Sequence, residues 1–318
     1  MNQSNLKKLQ NLLKEKDIDI FVINRSDQYL NEYISPNAER LNFITNFSGS
    51  AGRAIIMPTD AFLYVDGRYT FQANTQINAK EIQAKHLNNF WTDLEKILLE
   101  EEYKIALDPT LHSIIEIEKV EKMLENSTSQ LQLIDKNFVD LIWENQPKTQ
   151  YTDIFDHPTS FAGQDRREKL DILKKFLDQN EIDHYFISGL DNIAWLLNLR
   201  ADDIKYTPLL YSYFLISKNN KHSLYVKESS MPEILKKEIQ TLININNIEN
   251  IGSIFNNINS SESIGIDFNS TTFYFLDLLR KQKINTKNLV NPCILLKAIK
   301  NETELDGAKK AHIRDGVS

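Results

Sequence analysis

The sequence predicts an α/β fold in two tandem units, and three observations lead to this prediction. Short apolar runs alternate with amphipathic stretches along the chain, which is the pattern of strands and helices in layered α/β folds. A helix–strand–loop pattern at the start of the chain returns near its middle. The length of 318 residues is that of two domains of ordinary size. We therefore expect two α/β units of the same plan.

The repeat begins in both copies with apolar residues at helical spacing, over 6–13 and 170–177, followed by a short apolar strand. The positions that match between the copies are Ile20–Ile23 and His184–Ile187, Asp27 and Asp191, and Ile105–Asp108 and Ile264–Asp267. Self-similarity of this kind predicts a duplicated domain. A chance similarity between amphipathic segments is the alternative that the sequence leaves open.

In the first unit, periodicity predicts a helix and a strand, then a hairpin, and after the hairpin helices and strands in alternation. The predicted elements are helix 6–13, strand 20–23, hairpin strands 54–57 and 61–65, helix 70–77, strand 81–86, helix 91–102, strand 104–108, helix 114–124, strand 130–134 and a short helix 138–143. The next stretch, 146–163, carries Pro147 and Pro158 and little apolar periodicity, so we interpret it as a linker. The first domain is therefore predicted to span residues 1–145.

The second unit, predicted to span residues 164–295, follows the same order of elements. They are helix 165–179, strand 184–188, helix 190–199, paired strands 211–217 and 223–227, helix 232–240, strand 242–245, helix 251–258, strand 263–267 and helix 271–281. A third pattern, 296–318, starts a helix capped by Asn301, with Leu305, Ala308, His312 and Ile313 on one face. Because the sequence stops inside this pattern, we expect a truncated chain.

The stretch from Arg40 to Tyr69 is the strongest candidate for a functional site. Three of the nine glycines of the chain lie here, at Gly49, Gly52 and Gly67, where turns must be tight or closely approached. Arg68 follows the last of them and is the candidate for substrate contact, because a guanidinium can pair with a carboxylate or with several carbonyls. The structural alternative is that Arg68 pairs with Asp66 or Glu39 and fixes the hairpin.

Other candidate residues receive structural interpretations. Arg40 and Arg200 are expected in buried or interface salt bridges, and Trp195 in a core. Cys293, the single cysteine, is expected to be a small buried hydrophobe rather than a nucleophile. The cluster Asp153, Asp156 and His157 is expected to be a solvated part of the linker, not a metal site. His312 is expected to be structural, because its neighbours at helical spacing are apolar, and the remaining histidines, at His86, His112, His184 and His222, are isolated in sequence.

Composition limits the function classes. The formal charge of −7 and the isoelectric point of about 5.5 disfavour a nucleic-acid partner. No apolar run approaches the length that spans a bilayer, and the N-terminus lacks the apolar core of a signal peptide. With one cysteine there can be no internal disulfide, which fits a cytoplasmic protein.

Several segments in order resemble the three-domain Xaa-Pro aminopeptidases (aminopeptidase P) of the creatinase/prolidase superfamily. Each motif is weak alone, but together they cover essentially the whole chain. The segments similar to the family's motifs are Asn31–Ile34 with Glu39-Arg40, Phe47–Gly52, Asp66–Tyr69, Asp191–Arg200 with Pro208, Lys297–Glu302 and Ala311–Asp315.

The resemblance implies two creatinase N-terminal-like domains, each a mixed sheet flanked by helices, followed by the first helix of a missing pita-bread catalytic domain. It implies removal of the N-terminal residue from peptides with proline second, by two divalent metals, with manganese expected. The metal ligands would lie beyond Ser318, so the chain itself is expected to hold no cofactor and no catalytic residue. The same resemblance assigns substrate contact to Arg68.

The resemblance also carries expectations about partners, and two other functions stay open. The full-length protein is expected to be a homodimer that acts on Xaa-Pro peptides, and the chain alone a monomer. One alternative is a creatinase-like binding or scaffold module without peptidase activity. The other is a prolidase or creatinase-type hydrolase, which the two tandem units disfavour because such relatives usually carry one.

Overall fold

Two six-stranded sheets organise the protein in a computed structural model that describes residues 4–318. The chain divides into one unit of Met1–Thr149 with Thr272–Tyr274 and a second of Gln150–Thr271 with Phe275–Ser318. Each unit has its own buried apolar core. No described helix is both long and apolar enough to cross a bilayer.

The first unit follows the predicted alternation closely. Its elements are α1 Asn5–Glu15, β1 Ile20–Asn24, α2 Arg40–Thr45, β2 Gly52–Ile56, β3 Ala61–Val65, α3 Thr70–Gln76, β4 Gln83–His86, α4 Phe90–Glu100, β5 Lys104–Leu107, α5 Ile114–Leu124, β6 Gln130–Leu133 and α6 Phe138–Ile142. The sheet order is β4-β3-β2-β1-β5-β6. Strand β2 runs antiparallel to β1 and β3, whereas the other neighbours are parallel, so the sheet is mixed.

The second unit repeats this plan with one more strand pair. Its elements are β7 Phe155–Asp156, α7 Thr159–Ala162, α8 Arg166–Gln179, β8 His184–Ile187, α9 Leu190–Leu197, β9 Leu199–Arg200, β10 Tyr213–Ser217, β11 His222–Val226, α10 Glu233–Ile239, β12 Ile243–Asn247, β13 Ser263–Ile266, α11 Phe273–Lys281, β14 Asn285–Asn288, α12 Pro292–Ala298 and α13 Glu302–Gly316. The order of its large sheet is β12-β11-β10-β8-β13-β14.

The two sheets agree strand by strand. In both, the first strand pairs antiparallel with the hairpin on one side and parallel with the later strand on the other. The predicted matches Ile20–Ile23 with His184–Ile187 and Ile105–Asp108 with Ile264–Asp267 fall on equivalent strands. The prediction of an α/β duplication is therefore confirmed.

Local chemistry explains where the helices start. Ser113 and Asn301 each form a capping box with the glutamate three residues later, which satisfies the exposed amides of the first turn. Ser4 and Asp165 cap α1 and α8 through their side chains. These caps sit directly before the apolar stripes, so the sequence signals the starts of these helices.

The structure differs from the sequence prediction in several places. Residues 146–163 contain β7 and α7, and Ile154 is buried in the core of the second unit, because β7 pairs with β9. Residues 251–258, predicted as a helix, form only 3-10 turns after β12. Strand β14 and helix α12 were not predicted, since 285–288 carries polar residues of an edge strand.

Helix α13 forms where the Asn301 cap predicts it. Leu305, Ala308, His312 and Ile313 are exposed, so this face is not buried among the described residues, and the structural role expected of His312 stays a prediction. The assignment of this helix to a further domain stays a prediction. So do the boundaries at residues 145 and 295.

Candidate functional site

Arg68 lies in a one-turn 3-10 helix, Gly67–Tyr69, directly after β3. Asp66 caps this turn: its Oδ1 accepts from the Arg68 amide at 3.0 Å and from the Arg68 Nε at 2.8 Å. The hydrogen bond from Arg68 lowers the pKa of the Asp66 carboxyl, and the same bond raises the pKa of the guanidinium. The Arg68 side chain is 73% exposed, and its two terminal nitrogens have no hydrogen-bond partner among residues 4–318.

This geometry combines the two interpretations of Arg68. The Nε position pairs with Asp66, as the structural alternative predicts, and this contact directs the side chain. The outer edge of the guanidinium stays free to bind a carboxylate or carbonyl oxygens. Glu39 is not the partner of Arg68, because it accepts from Arg25 Nη2 at 2.9 Å.

Arg25 is a second arginine of this region, which sequence reasoning missed. Its side chain is 9% exposed, and Nη1 donates to the backbone oxygens of Glu32, at 2.7 Å, and Ser50, at 3.2 Å. The Ser50 hydroxyl in turn lies 2.7 Å from the Tyr69 hydroxyl, a bond that lowers the pKa of Tyr69. Arg25 therefore ties the glycine-containing loop to the turn that carries Arg68. No local spacing marks it in the sequence.

Gly49 and Gly52 are needed because the loop passes closely over Phe47, which is fully buried. A Cβ at Gly49 would lie 2.2 Å from the Phe47 ring, and one at Gly52 would lie 3.1 Å from it. We expect Gly49→Ala to lower the free energy of unfolding by about 1–3 kcal/mol, since the buried ring cannot move away. Urea unfolding measures this change.

Gly307→Ala is the matched control for Gly49→Ala. Gly307 is helical, and a Cβ there would meet no atom within 4 Å. This variant is expected to stabilise the protein by up to about 1 kcal/mol, because alanine is the better helix former. Equal effects of the two substitutions would contradict the packing argument for Gly49.

The other two arginines have structural partners. Arg40 forms a bidentate ion pair with Asp140, at 2.7 and 2.8 Å, which confirms the salt-bridge prediction. For Arg200 that prediction is wrong, because its Nη1 donates to the backbone oxygens of Ala194 and Leu199. These carbonyls belong to α9 and to β9, respectively. Trp195 is partly buried against the core of the second unit, as predicted.

Buried polar contacts account for three of the histidines. The Nδ1 of His112 is 2.9 Å from the Asp108 oxygen, and the Nδ1 of His184 is 2.9 Å from the Ser217 hydroxyl. His222 accepts from the Ser217 amide through its Nδ1. Burial lowers the pKa of all three rings, so they are held neutral.

The buried His222 is expected to make the protein less stable in acid. Burial, aided by Lys174 and opposed by Asp171, lowers the pKa of this ring from 6.5 to about 4. The unfolded chain therefore binds this proton at a higher pH than the folded chain does. We expect stability to fall between pH 6.5 and 4, by about 3 kcal/mol from this group. Urea unfolding at pH 7 and at pH 4.5 measures this fall. The difference in the free energy of unfolding between the two pH values should be much smaller in His222→Gln than in the unmodified chain.

His312→Gln is the control, because His312 is exposed. It should retain the full pH difference of the unmodified chain. His112 and His184 act in the same direction as His222, so a residual acid sensitivity is expected in the His222 variant. An unchanged pH difference in His222→Gln would contradict the assignment.

The remaining candidates do not converge on a catalytic centre. Asp156 pairs with Arg166, so it is part of an ion pair rather than a free linker side chain. Cys293 is fully buried, as predicted, and burial raises the pKa of its thiol to about 12. Within 4–318, no three His, Cys, Asp or Glu residues are grouped closely enough to hold a metal ion.

One family model matches each of the two structural units. The creatinase/prolidase N-terminal domain matches residues 5–136, and a second model of the same description matches residues 145–304. The chain belongs to the creatinase/prolidase N-terminal domain family. The prediction of two creatinase N-terminal-like domains is thereby confirmed.

Curated relatives match nearly the whole chain. It is 31% identical over 98% of its length to "Probable Xaa-Pro aminopeptidase P" of Ajellomyces dermatitidis, and 33% identical over 98% to the protein of that name from Neosartorya fischeri. It covers 53% and 49% of those relatives, so it spans about half their length.

A solved structure supports the same fold. It is that of X-prolyl aminopeptidase from Caenorhabditis elegans, which is described as a cytosolic enzyme with a di-nuclear active site. The TM-score is 0.89 at 22% identity, over 98% of this chain and 53% of that one. At this identity the match establishes the fold of the two creatinase-type domains.

Proposed function

We propose that this chain is the non-catalytic N-terminal region of a metal-dependent Xaa-Pro aminopeptidase, which removes the first residue from peptides with proline second. The observation that supports the proposal is the identity of about 31% to proteins of that name along 98% of the chain. The chain covers about half of each relative, which leaves room for a separate catalytic domain in the full-length protein.

Within this proposal, the region contributes Arg68 to one wall of the substrate cleft. The exposed outer edge of the guanidinium, held by Asp66 and by the Arg25–Ser50–Tyr69 contacts, can donate hydrogen bonds to the oxygens of a bound peptide. Because the turn is anchored at its base, the cation is presented with little loss of conformational freedom.

The proposed cofactor is a pair of divalent metals, with manganese as the expected ion. The described residues do not fit such a centre, since they offer no group of three ligands. We propose that the metals are bound in the region of the relatives that this chain does not cover. The full-length protein is proposed to be a cytoplasmic homodimer, and residues 1–318 alone a monomer.

The proposal is tested with the purified 318-residue chain and a fluorogenic Xaa-Pro peptide. We expect no turnover, with or without added manganese, and measurable turnover by the full-length protein under the same conditions. Metal-dependent hydrolysis by residues 1–318 would overturn the non-catalytic role. A full-length protein that is inactive with every Xaa-Pro peptide would favour the alternative of a binding or scaffold module.

Reading the gene beyond Ser318 separates the alternatives without an assay. The aminopeptidase proposal expects two Asp, one His and two Glu at metal-ligand positions in that region. A gene that lacks this set would support the scaffold module. A full-length enzyme that cleaves only dipeptides would instead support the prolidase-type hydrolase.

A further inference from the structure

The two units differ sharply on one face of their sheets. In the first unit, α4 follows β4 and covers the hairpin strands: its Phe90 is fully buried and packs edge-on against Tyr64, with ring centroids 5.3 Å apart. In the second unit the segment after β12 contains no helix of this kind. It forms 3-10 turns over Ile248–Ser253, so the same face is only partly covered.

Residues of this face are also replaced by polar ones. Phe62 of β3 and Ser223 of β11 hold equivalent positions. Each is paired with the matching residue on the other strand of the hairpin in its own sheet. By the same registers, Ile20 corresponds to His184 and Met57 to Ser217. Three apolar positions of the first unit therefore carry a histidine and two serines in the second.

The result is a cavity of about 790 Å³ in the second unit, within the size range of small-molecule sites. The polar residues that line it on the strands are His184, Ser217, Ser223, Tyr225, Asn244 and Asn246. His184 is buried, and its Nε2 has no hydrogen-bond partner among residues 4–318; the nearest charge is Glu262 Oε2 at 3.6 Å. A buried ring nitrogen left in this state is costly unless another group binds it.

The lining is rich in hydrogen-bonding groups and poor in charge. It contains no carboxylate, and Lys221 at its rim is bound by the backbone oxygen of Gln240. Burial lowers the pKa of His184, so this ring adds no charge. Side-chain amides and hydroxyls both donate and accept, which suits a ligand with many hydroxyl groups. Ile254 and Ile258 supply apolar contact for its C–H faces.

We propose that this cavity binds a neutral polyhydroxylated small molecule, a mono- or disaccharide in size. The site is separate from the Arg68 turn, since it lies wholly in the second unit. A cationic ligand of the same shape would find no carboxylate in the lining and would lose its hydration. The cavity is therefore expected to discriminate against amino sugars.

The test uses the whole 318-residue chain and ligand-observed NMR followed by calorimetry. The probes are glucose, mannose, galactose, maltose and trehalose, with glucosamine as the cationic counterpart. We expect saturable binding of at least one neutral sugar and at least tenfold weaker binding of glucosamine. The absence of binding by every neutral probe, or equal binding of glucosamine, would overturn the proposal.

Variants then locate the site. Ser223→Phe installs the residue of the equivalent position in the first unit and should abolish binding by filling the cavity. Asn244→Ala removes one exposed amide and should weaken binding by about threefold to tenfold. Asn74→Ala, at an exposed asparagine of α3, is the control and should leave it unchanged. Unaltered affinity in Asn244→Ala and in a folded Ser223→Phe would exclude this cavity as the site.

Discussion

Replacing Arg68 by alanine in the full-length protein is expected to lower kcat/KM for an Xaa-Pro peptide by about 10- to 100-fold. A charge-assisted hydrogen bond to a substrate oxygen contributes about 1.5–3 kcal/mol, and alanine removes every donor of the guanidinium. The fold should be unaffected, because the side chain is 73% exposed and its ion pair with Asp66 is at the surface. Steady-state kinetics and thermal unfolding measure the two effects separately.

Two further substitutions distinguish substrate contact from a role in holding the turn. Arg68→Lys keeps the charge but loses the planar fork, so it should recover only part of kcat/KM. Asp66→Asn weakens the contact that directs the guanidinium, so it should have a smaller effect than Arg68→Ala. If Arg68→Ala instead lowers thermal stability and leaves peptide affinity unchanged, the residue fixes the hairpin and does not contact substrate.

The sequence predicted those parts of the fold that local patterns determine. Leucines at helical spacing located α1 and α8, and the capping residues Ser113 and Asn301 mark the starts of their helices. The duplication was visible because equivalent strands such as β1 and β8 kept similar apolar runs. These features depend on neighbours along the chain, which a sequence displays directly.

Long-range partners were not predictable in the same way. Arg25 reaches Ser50 and Glu32 through its guanidinium, yet nothing near Arg25 in the sequence signals these contacts. Arg200 was expected to pair with a carboxylate, but its guanidinium donates to backbone carbonyls of α9 and β9. The polar strand β14 resembles a loop because, at the edge of the sheet, it buries little apolar surface.

The cavity of the second unit depends both on local sequence patterns and on long-range contacts. In the sequence, nothing distinguishes Ser217, Ser223 and Asn244 from other polar strand residues. Only the strand registers show that they share one face of the sheet. The loss of a covering helix after β12 could not be anticipated, since the apolar residues of 251–258 satisfy a helical pattern equally well. Here the comparison of two copies within one chain provides the information that a single copy lacks.

The largest effect on stability is expected from Phe186→Ala, in the centre of the second sheet. Phe186 is 1% exposed, and its ring centroid lies 4.5 Å from that of Phe275, 5.4 Å from Phe255 and 6.0 Å from Tyr213. Alanine leaves a cavity among these rings, so the free energy of unfolding should fall by about 3–5 kcal/mol. Urea unfolding followed by circular dichroism measures this loss.

Two controls show whether the loss of Phe186 acts through packing. Phe186→Leu keeps most of the volume and should cost less than about 1.5 kcal/mol. Phe161→Ala removes the same ring from a side chain that is 65% exposed, so it should change stability by less than about 0.5 kcal/mol. Because the stability of a domain is about 5–15 kcal/mol in total, Phe186→Ala alone should bring the second unit close to unfolding. A loss below that of Phe186→Leu would mean that the aromatic cluster does not hold this sheet.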